Sequence, residues 1–230
     1  MRAFTLDHTI TSASLGLRFT APVEIPTAER VVDDIDVQGR AGTLTRLGGW
    51  HDTMVSLPLA VNLTGGVDAY QRAARALMDA SSIGLSGEPG VFRHIKHTTI
   101  SPLRRELASW GFFDAELTCA PFSYLDSGLT THTLTTSGTI TNPGLIDAVP
   151  VITAYGTGTL TLTINGAQYR MSSPSGQVTL DSARLVAHVA GRVQTDALTG
   201  DFPYLVPGVN RFVLGTGISK IEVVGNWRNP

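Results

Sequence analysis

Residues 159–171 leave the backbone little choice. Leu160, Leu162 and Ile164 alternate with Thr159, Thr161 and Thr163; Asn165-Gly166 follows; then Ala167-Gln168-Tyr169-Arg170-Met171 alternates again. Period-two alternation is the mark of a half-buried strand. Asn-Gly between two such runs supplies the positive φ that a type I′ turn needs at both central residues. A lone hairpin is only marginally stable in water, so this one must belong to a larger sheet. Further short strand signals lie at 135–141, 149–154, 178–180 and 221–224. With almost no helical pattern beyond residue 125, they predict a β-sandwich over 126–230.

The first half, 1–125, reads differently. Residues 31–37 form a polar-interrupted strand that stops at Gly39-Arg40-Ala41-Gly42, where two glycines permit a tight turn. A strand resumes at 43–45. In 54–63, Val55, Leu57, Leu59, Val61 and Leu63 share one parity, which predicts a buried face. Pro58 within that run argues for an edge or a bulge. The pattern over 68–79 predicts a helix with Asp68 as N-cap and Tyr70, Ala73, Ala74, Leu77 and Met78 as its apolar stripe. Strands are expected at 91–100 and 111–119, the latter closed by Ala120-Pro121-Phe122. The fold class is therefore mainly β with one packed helix, an α+β arrangement in two domains.

Chemistry is scarce in this chain. Its 19 acidic and 17 basic residues give a net charge of -2. That balance carries no electrostatic footprint for nucleic acid. Arg104-Arg105 beside Glu106 is too short a basic run to change this. Cys119 is the single cysteine, so no internal disulfide forms, and its strand-like context predicts a buried, inert thiol. No run reaches the ~18–20 apolar residues of a membrane span. The first residues lack the apolar core of a secretion signal, so synthesis in a cytoplasm is expected.

His94 and His97 fall three apart in a strand, hence on opposite faces, and no second cluster completes a metal site. Asp33, Asp34 and Asp36 read as a solvated edge, with Asp34 and Asp36 as the alternative carboxylate pair of a hydrolase. There is no nucleophile elbow and no phosphate loop. The expectation is no catalytic residue, no cofactor and no metal. Tyr155 and Tyr169 are the candidates for a sugar or partner face, with Phe202, Tyr204 and Trp227 as further aromatics. Residues 200–210 carry two prolines and two glycines without an acid/base pair. They read as a shaped turn in which Pro207-Gly208 is architectural and Phe202 and Tyr204, of equal parity, anchor to the core together.

Several segments, in this order, resemble the distal tail protein (Dit) family of siphophages. They are Val37-Gln38-Gly39-Arg40-Ala41-Gly42-Thr43-Leu44; the strand with Leu57-Pro58-Leu59; the helix at 68–79; the strand from Phe113 ending in Cys119-Ala120-Pro121-Phe122; Asn142-Pro143-Gly144 with Pro150-Val151-Ile152; the run 160–164 before Asn165-Gly166; and Asp201-Phe202-Pro203 with Pro207-Gly208-Val209-Asn210. The ordered set covers nearly the whole chain. The resemblance implies a ring-forming, β-sandwich-like first domain and a galectin-like β-sandwich second domain. It implies a non-enzymatic virion protein at the distal end of a long non-contractile tail. There a homohexameric hub would join the tail-tube protein to tail-tip, baseplate or receptor-binding proteins around a channel for DNA. A tail-tube subunit and a carbohydrate-binding module are the alternatives. The Gly39-Arg40-Ala41-Gly42 turn is the expected ring contact.

Overall fold

The computed structural model describes residues 3–105 and 109–230; Glu106 lies outside them. The chain divides into two compact units, 1–123 with Pro230, and 124–229.

The first unit contains β1 (Phe4–Leu6), β2 (Ile10–Thr11), β3 (Leu17–Phe19), β4 (Arg30–Ile35), β5 (Leu44–Trp50), β6 (Thr53–Asn62), α1 (Asp68–Asp79), β7 (Ser82–Leu85), β8 (Val91–Ile100), β9 (Arg104–Arg105) and β10 (Trp110–Leu125). Its main sheet runs β2-β1-β7-β8-β10-β6-β3, with β9 also on β10. The rings of Phe4 and Phe19 stand 5.7 Å apart although β1 and β3 lie towards opposite ends of that order. The sheet therefore curls until its ends meet. The main sheet of the first unit is thus one curled sheet.

The inward row of β6 is Val55, Leu57, Leu59 and Val61, continued by Leu63, all buried as expected from parity. Opposite it β10 presents Phe113, Ala115, Leu117 and Cys119 in matched register. Each large aliphatic side chain so buried contributes about 1.5–3 kcal/mol. Pro58 costs nothing here. Its C=O accepts from Thr20 N–H at 3.0 Å on the outer side. In an antiparallel ladder a residue's N and O point the same way. The missing donor therefore lies on the side where β3, whose pairing runs from Val61 to Leu59, has ended.

The helix packs Ala73, Ala74 and Leu77 into this core, and Tyr70 meets Phe113 edge-on at 5.1 Å. Met78, expected in the stripe, is exposed. Asp68 is the first helical residue and Val67 occupies the cap without a side-chain bond. Asp68 thus acts only through its charge at the positive end of the helix dipole. β10 also runs past its expected end, through Pro121 to Leu125. Its pairing with β6 stops at Cys119–Thr53, so Pro121 removes no donor from that ladder.

The second unit contains β11 (Thr131–Leu134), β12 (Gly138–Asn142), β13 (Val151–Tyr155), β14 (Gly158–Ile164), β15 (Ala167–Ser173), β16 (Gln177–Asp181), β17 (Val186–Val189), β18 (Arg192–Val193), β19 (Leu198–Thr199), β20 (Gly208–Leu214) and β21 (Lys220–Val224). Two sheets form, β11-β21-β13-β16-β17-β18 and β12-β20-β14-β15-β19. Ile152, Leu180 and Val223 from the first share one core with Leu160, Leu162, Met171 and Phe212 from the second. Trp227 is almost fully buried in the same core. The Asn165-Gly166 turn has φ of 49° and 90°, as a type I′ hairpin requires.

Candidate assembly surfaces

β4 and β5 pair only with each other, as a two-stranded arm. Val32 lies opposite Leu47, Asp33 opposite Arg46, Asp34 opposite Thr45 and Ile35 opposite Leu44. Alternation puts Val32, Leu47, Asp34 and Thr45 on one face and Ile35, Leu44, Asp33 and Arg46 on the other. Neither face is covered: Val32, Ile35, Leu44 and Leu47 are 43–60% exposed. The root is better held. The Arg30 guanidinium sits 4.5 Å over the Trp50 ring, and Trp50 meets Phe122 edge-on at 5.3 Å.

The turn singled out from sequence, Gly39-Arg40-Ala41-Gly42, is at the far end of this arm. Its four residues are exposed. Gly39 and Gly42 have φ of 83° and 82°, a region that a Cβ disfavours, and Arg40 N–H donates to the Val37 C=O at 3.0 Å. Asp34 accepts the Thr45 hydroxyl at 2.8 Å. Asp36 lies beyond the end of β4, so strand parity does not aim it with Asp34.

Tyr155 and Tyr169 do not share a face. Tyr155, on β13, donates its hydroxyl to Glu222 Oε2 at 2.7 Å. Lys220 Nζ donates to the other carboxylate oxygen at 2.7 Å and stands 4.1 Å over the Tyr155 ring. The bond to Glu222 raises the Tyr155 phenol pKa, and the bonds from Lys220 and Tyr155 lower that of Glu222. Tyr169, on β15 in the other sheet, lies opposite Leu162 and is buried in the core. Burial first, then nearby Tyr204 and Asp201, raise its pKa. Phe202 packs on that core, but Tyr204 is 54% exposed, so the two do not anchor together.

Three asparagines hold the loops of the second unit: Asn165, already read as a turn residue, with Asn142 and Asn210. Asn210 is fully buried. Its Oδ1 accepts from Val206 N–H at 3.0 Å and Asn165 Nδ2 at 2.8 Å; its Nδ2 donates to Val206 C=O at 2.8 Å and Gly208 C=O at 3.0 Å. Asn165 Oδ1 in turn accepts from Arg211 N–H at 2.8 Å. Asn142 donates to Leu205 C=O at 2.9 Å and accepts from Gly144 N–H at 2.8 Å. The only hint in the sequence is their place beside Pro and Gly.

The reactive candidates separate. His94 packs on Phe92, which also meets His8 at 4.7 Å. Desolvation, then the charge of His8, lowers the pKa of His94. His97 contacts the Thr118 hydroxyl at 3.1 Å. Cys119 is fully buried, and burial pushes its thiol up to about 11. Arg93, only 4% exposed, makes a two-pronged ion pair with Glu88. Asp7 accepts from the backbone and hydroxyls of Ser81 and Ser82. Partial burial pushes its carboxyl up, but these bonds outweigh it and hold the pKa below the ordinary value. Among the described residues no three His, Cys, Asp or Glu side chains converge on a metal position. An open groove of about 680 Å³ passes Ser12, Arg18, Asn62 and Trp110, and among the described residues no carboxylate, imidazole or thiol lines it.

No family profile matches the sequence, and no curated protein matches it. Solved structures do match the fold. One is the SPP1 Dit protein, described as a paradigm of the hub adsorption apparatus in phages infecting Gram-positive hosts. It is 15% identical, with a TM-score of 0.66 over 97% of this chain and 98% of that one. Another is a chain of the phage P2 baseplate in its activated, calcium-bound conformation, 9% identical, with a TM-score of 0.52 over 97% of each chain. The resemblance to the Dit family seen in sequence thus extends to the fold, over nearly the full length of both chains.

Proposed function

We propose that this chain is a structural, non-enzymatic protein of a phage virion. It forms the hub at the distal end of a long non-contractile tail. The observation carrying this reading is the fold match to the SPP1 Dit hub protein across 97% of the chain, with both units included. Six copies form a closed ring that joins the tail-tube protein to tail-tip and baseplate proteins and leaves a channel for DNA. The first unit, 1–125 in the reading from sequence, forms the ring. The second, 126–230, is a galectin-like module facing outward. Assembly occurs in the host cytoplasm, and receptor-binding proteins are further partners.

The exposed arm with Gly39, Arg40, Ala41 and Gly42 at its tip is the proposed ring contact. Four apolar side chains that the described residues leave 43–60% exposed support it. An assembly contact of more than about 1,000 Å² is needed for such a ring to persist. The carbohydrate reading has less support, because Lys220 occupies the Tyr155 ring face that a sugar would stack on and Tyr169 is buried. Electron microscopy of the purified protein tests the hub: discrete six-fold rings are expected. Long stacked tubes would overturn it in favour of a tail-tube subunit.

A further inference from the structure

The curled sheet of the first unit is stitched shut at Ser12. Its N–H donates to the Phe4 C=O at 2.9 Å and its C=O accepts from Leu17 N–H at 2.8 Å, which joins β1 to β3. Past that stitch β3 has a free edge, for it is the last strand in the sheet order. Thr20 N–H bonds the Pro58 C=O, and Gly16 C=O accepts from Asn62 N–H, so the even positions of β3 point to β6. The N–H and C=O of Phe19, at odd parity, point away from it. They have no partner among the described residues. An edge with a spare donor and acceptor is a template for another extended chain.

Two depressions meet at this edge. The groove of about 680 Å³ follows 16–22, and a hollow of about 150 Å³ is walled by Val23, Ile25 and Leu85; Ala3 and Phe19 line both. The groove has the size of a ligand cleft, about 300–1,000 Å³. The hollow has the size at which an apolar cavity takes up a ring such as benzene, about 150 Å³. On the groove, Arg18 is exposed and stands 5.3 Å over the Trp110 ring. Among the described residues no carboxylate pairs with it or lines either depression. Glu24 lies outside both linings, and Glu88, next to Gly87, is taken by Arg93.

We infer that β3 captures an extended, acidic segment of a partner polypeptide by strand addition. Main-chain bonds to Phe19 hold the backbone of that segment, the mode in which peptides add to an exposed sheet edge. A carboxylate of the segment meets Arg18, and a large apolar side chain fills the hollow. Arg18 and Phe19 point to opposite faces of β3, so the acid and the anchor stand an odd number of residues apart. An arginine that faces no acid of its own chain favours a negatively charged partner and disfavours a basic one. Capture does not require the hub reading to hold.

Random nonapeptide display on the immobilised full chain supplies the probe, and fluorescence polarisation of one enriched peptide measures its affinity. Enriched peptides should carry Asp or Glu one or three residues from a Leu, Ile or Phe. Arg18→Glu, an exposed change whose fold circular dichroism verifies, should weaken that peptide by about tenfold or more. The same peptide with Lys in place of its acid should then bind the Arg18→Glu chain better than the parent. Ile25→Asp, at a wall that is 47% exposed, should weaken the original peptide to a similar extent. The inference is overturned if no peptide is enriched, if the enriched peptides lack the acid, or if either substitution leaves affinity unchanged. It is also overturned if the parent self-associates in mass photometry and the peptide disperses those assemblies, because the occupant is then a second copy.

Discussion

The two units solve the same problem of covering apolar strands, and only one of them finishes the task alone. In the second unit two sheets close on a shared core, and the loops between strands are fastened by buried amides such as Asn210. Its surface cluster of Tyr155, Lys220 and Glu222 satisfies itself. The first unit has an equally closed core but extends a ribbon whose apolar side chains Val32, Ile35, Leu44 and Leu47 stay exposed. Unsatisfied surface of this kind marks an interaction site. The difference fits the proposed placing of the ring contact in the first unit.

That contrast can be broken at three strengths. The largest effect is expected from Glu88→Ala, which strands the buried Arg93 charge in the first unit. A loss of about 3 kcal/mol is expected in chemical denaturation, with amide exchange in residues 124–229 unchanged. Equal loosening of both units would show that they do not unfold independently. Next is Gly208→Val. Gly208 has φ of 87°, and a Cβ at that position would meet open space, so the cost is backbone strain alone. About 1–2 kcal/mol is expected in the second unit; an unchanged melting temperature would refute an architectural role for Pro207-Gly208.

The smallest effect is that of acid. The lowered pKa of His94 means the folded state prefers the neutral ring, so stability falls as pH drops below its ordinary 6.5. Asp7, also lowered, adds a second loss as pH drops below 3.8. Between pH 7 and 5 the amide protection factors, referred to the intrinsic exchange rate at each pH, should fall in the first unit, and His94→Phe should flatten that dependence. A matching fall of protection in the second unit would remove the contrast.

What the sequence made legible was what depends on near neighbours. The 159–171 hairpin, the buried row of β6 and the helix follow from periodicity within a dozen residues. Tyr169 shows a signal that was present and missed. The two-residue Asn-Gly turn fixes Ile164 opposite Ala167 and hence Leu162 opposite Tyr169. An inward Leu162 therefore requires an inward Tyr169. Other features arise only from long-range closure. Lys220 and Glu222 reach Tyr155 from a strand late in the chain, and Asn210 gains its role from loops brought together by the sandwich. The exposure of the arm depends on which strands its edges fail to meet, and composition does not encode that.

The buried thiol described above also serves as a clock. Cys119 lies on the central strand β10, and its pKa near 11 leaves almost no thiolate at neutral pH. Chemical labelling must wait for the curled sheet to part, so the labelling rate of the unmodified chain measures how often the first unit opens. With one cysteine in 230 residues, that reading comes without engineering and without interference from the second unit.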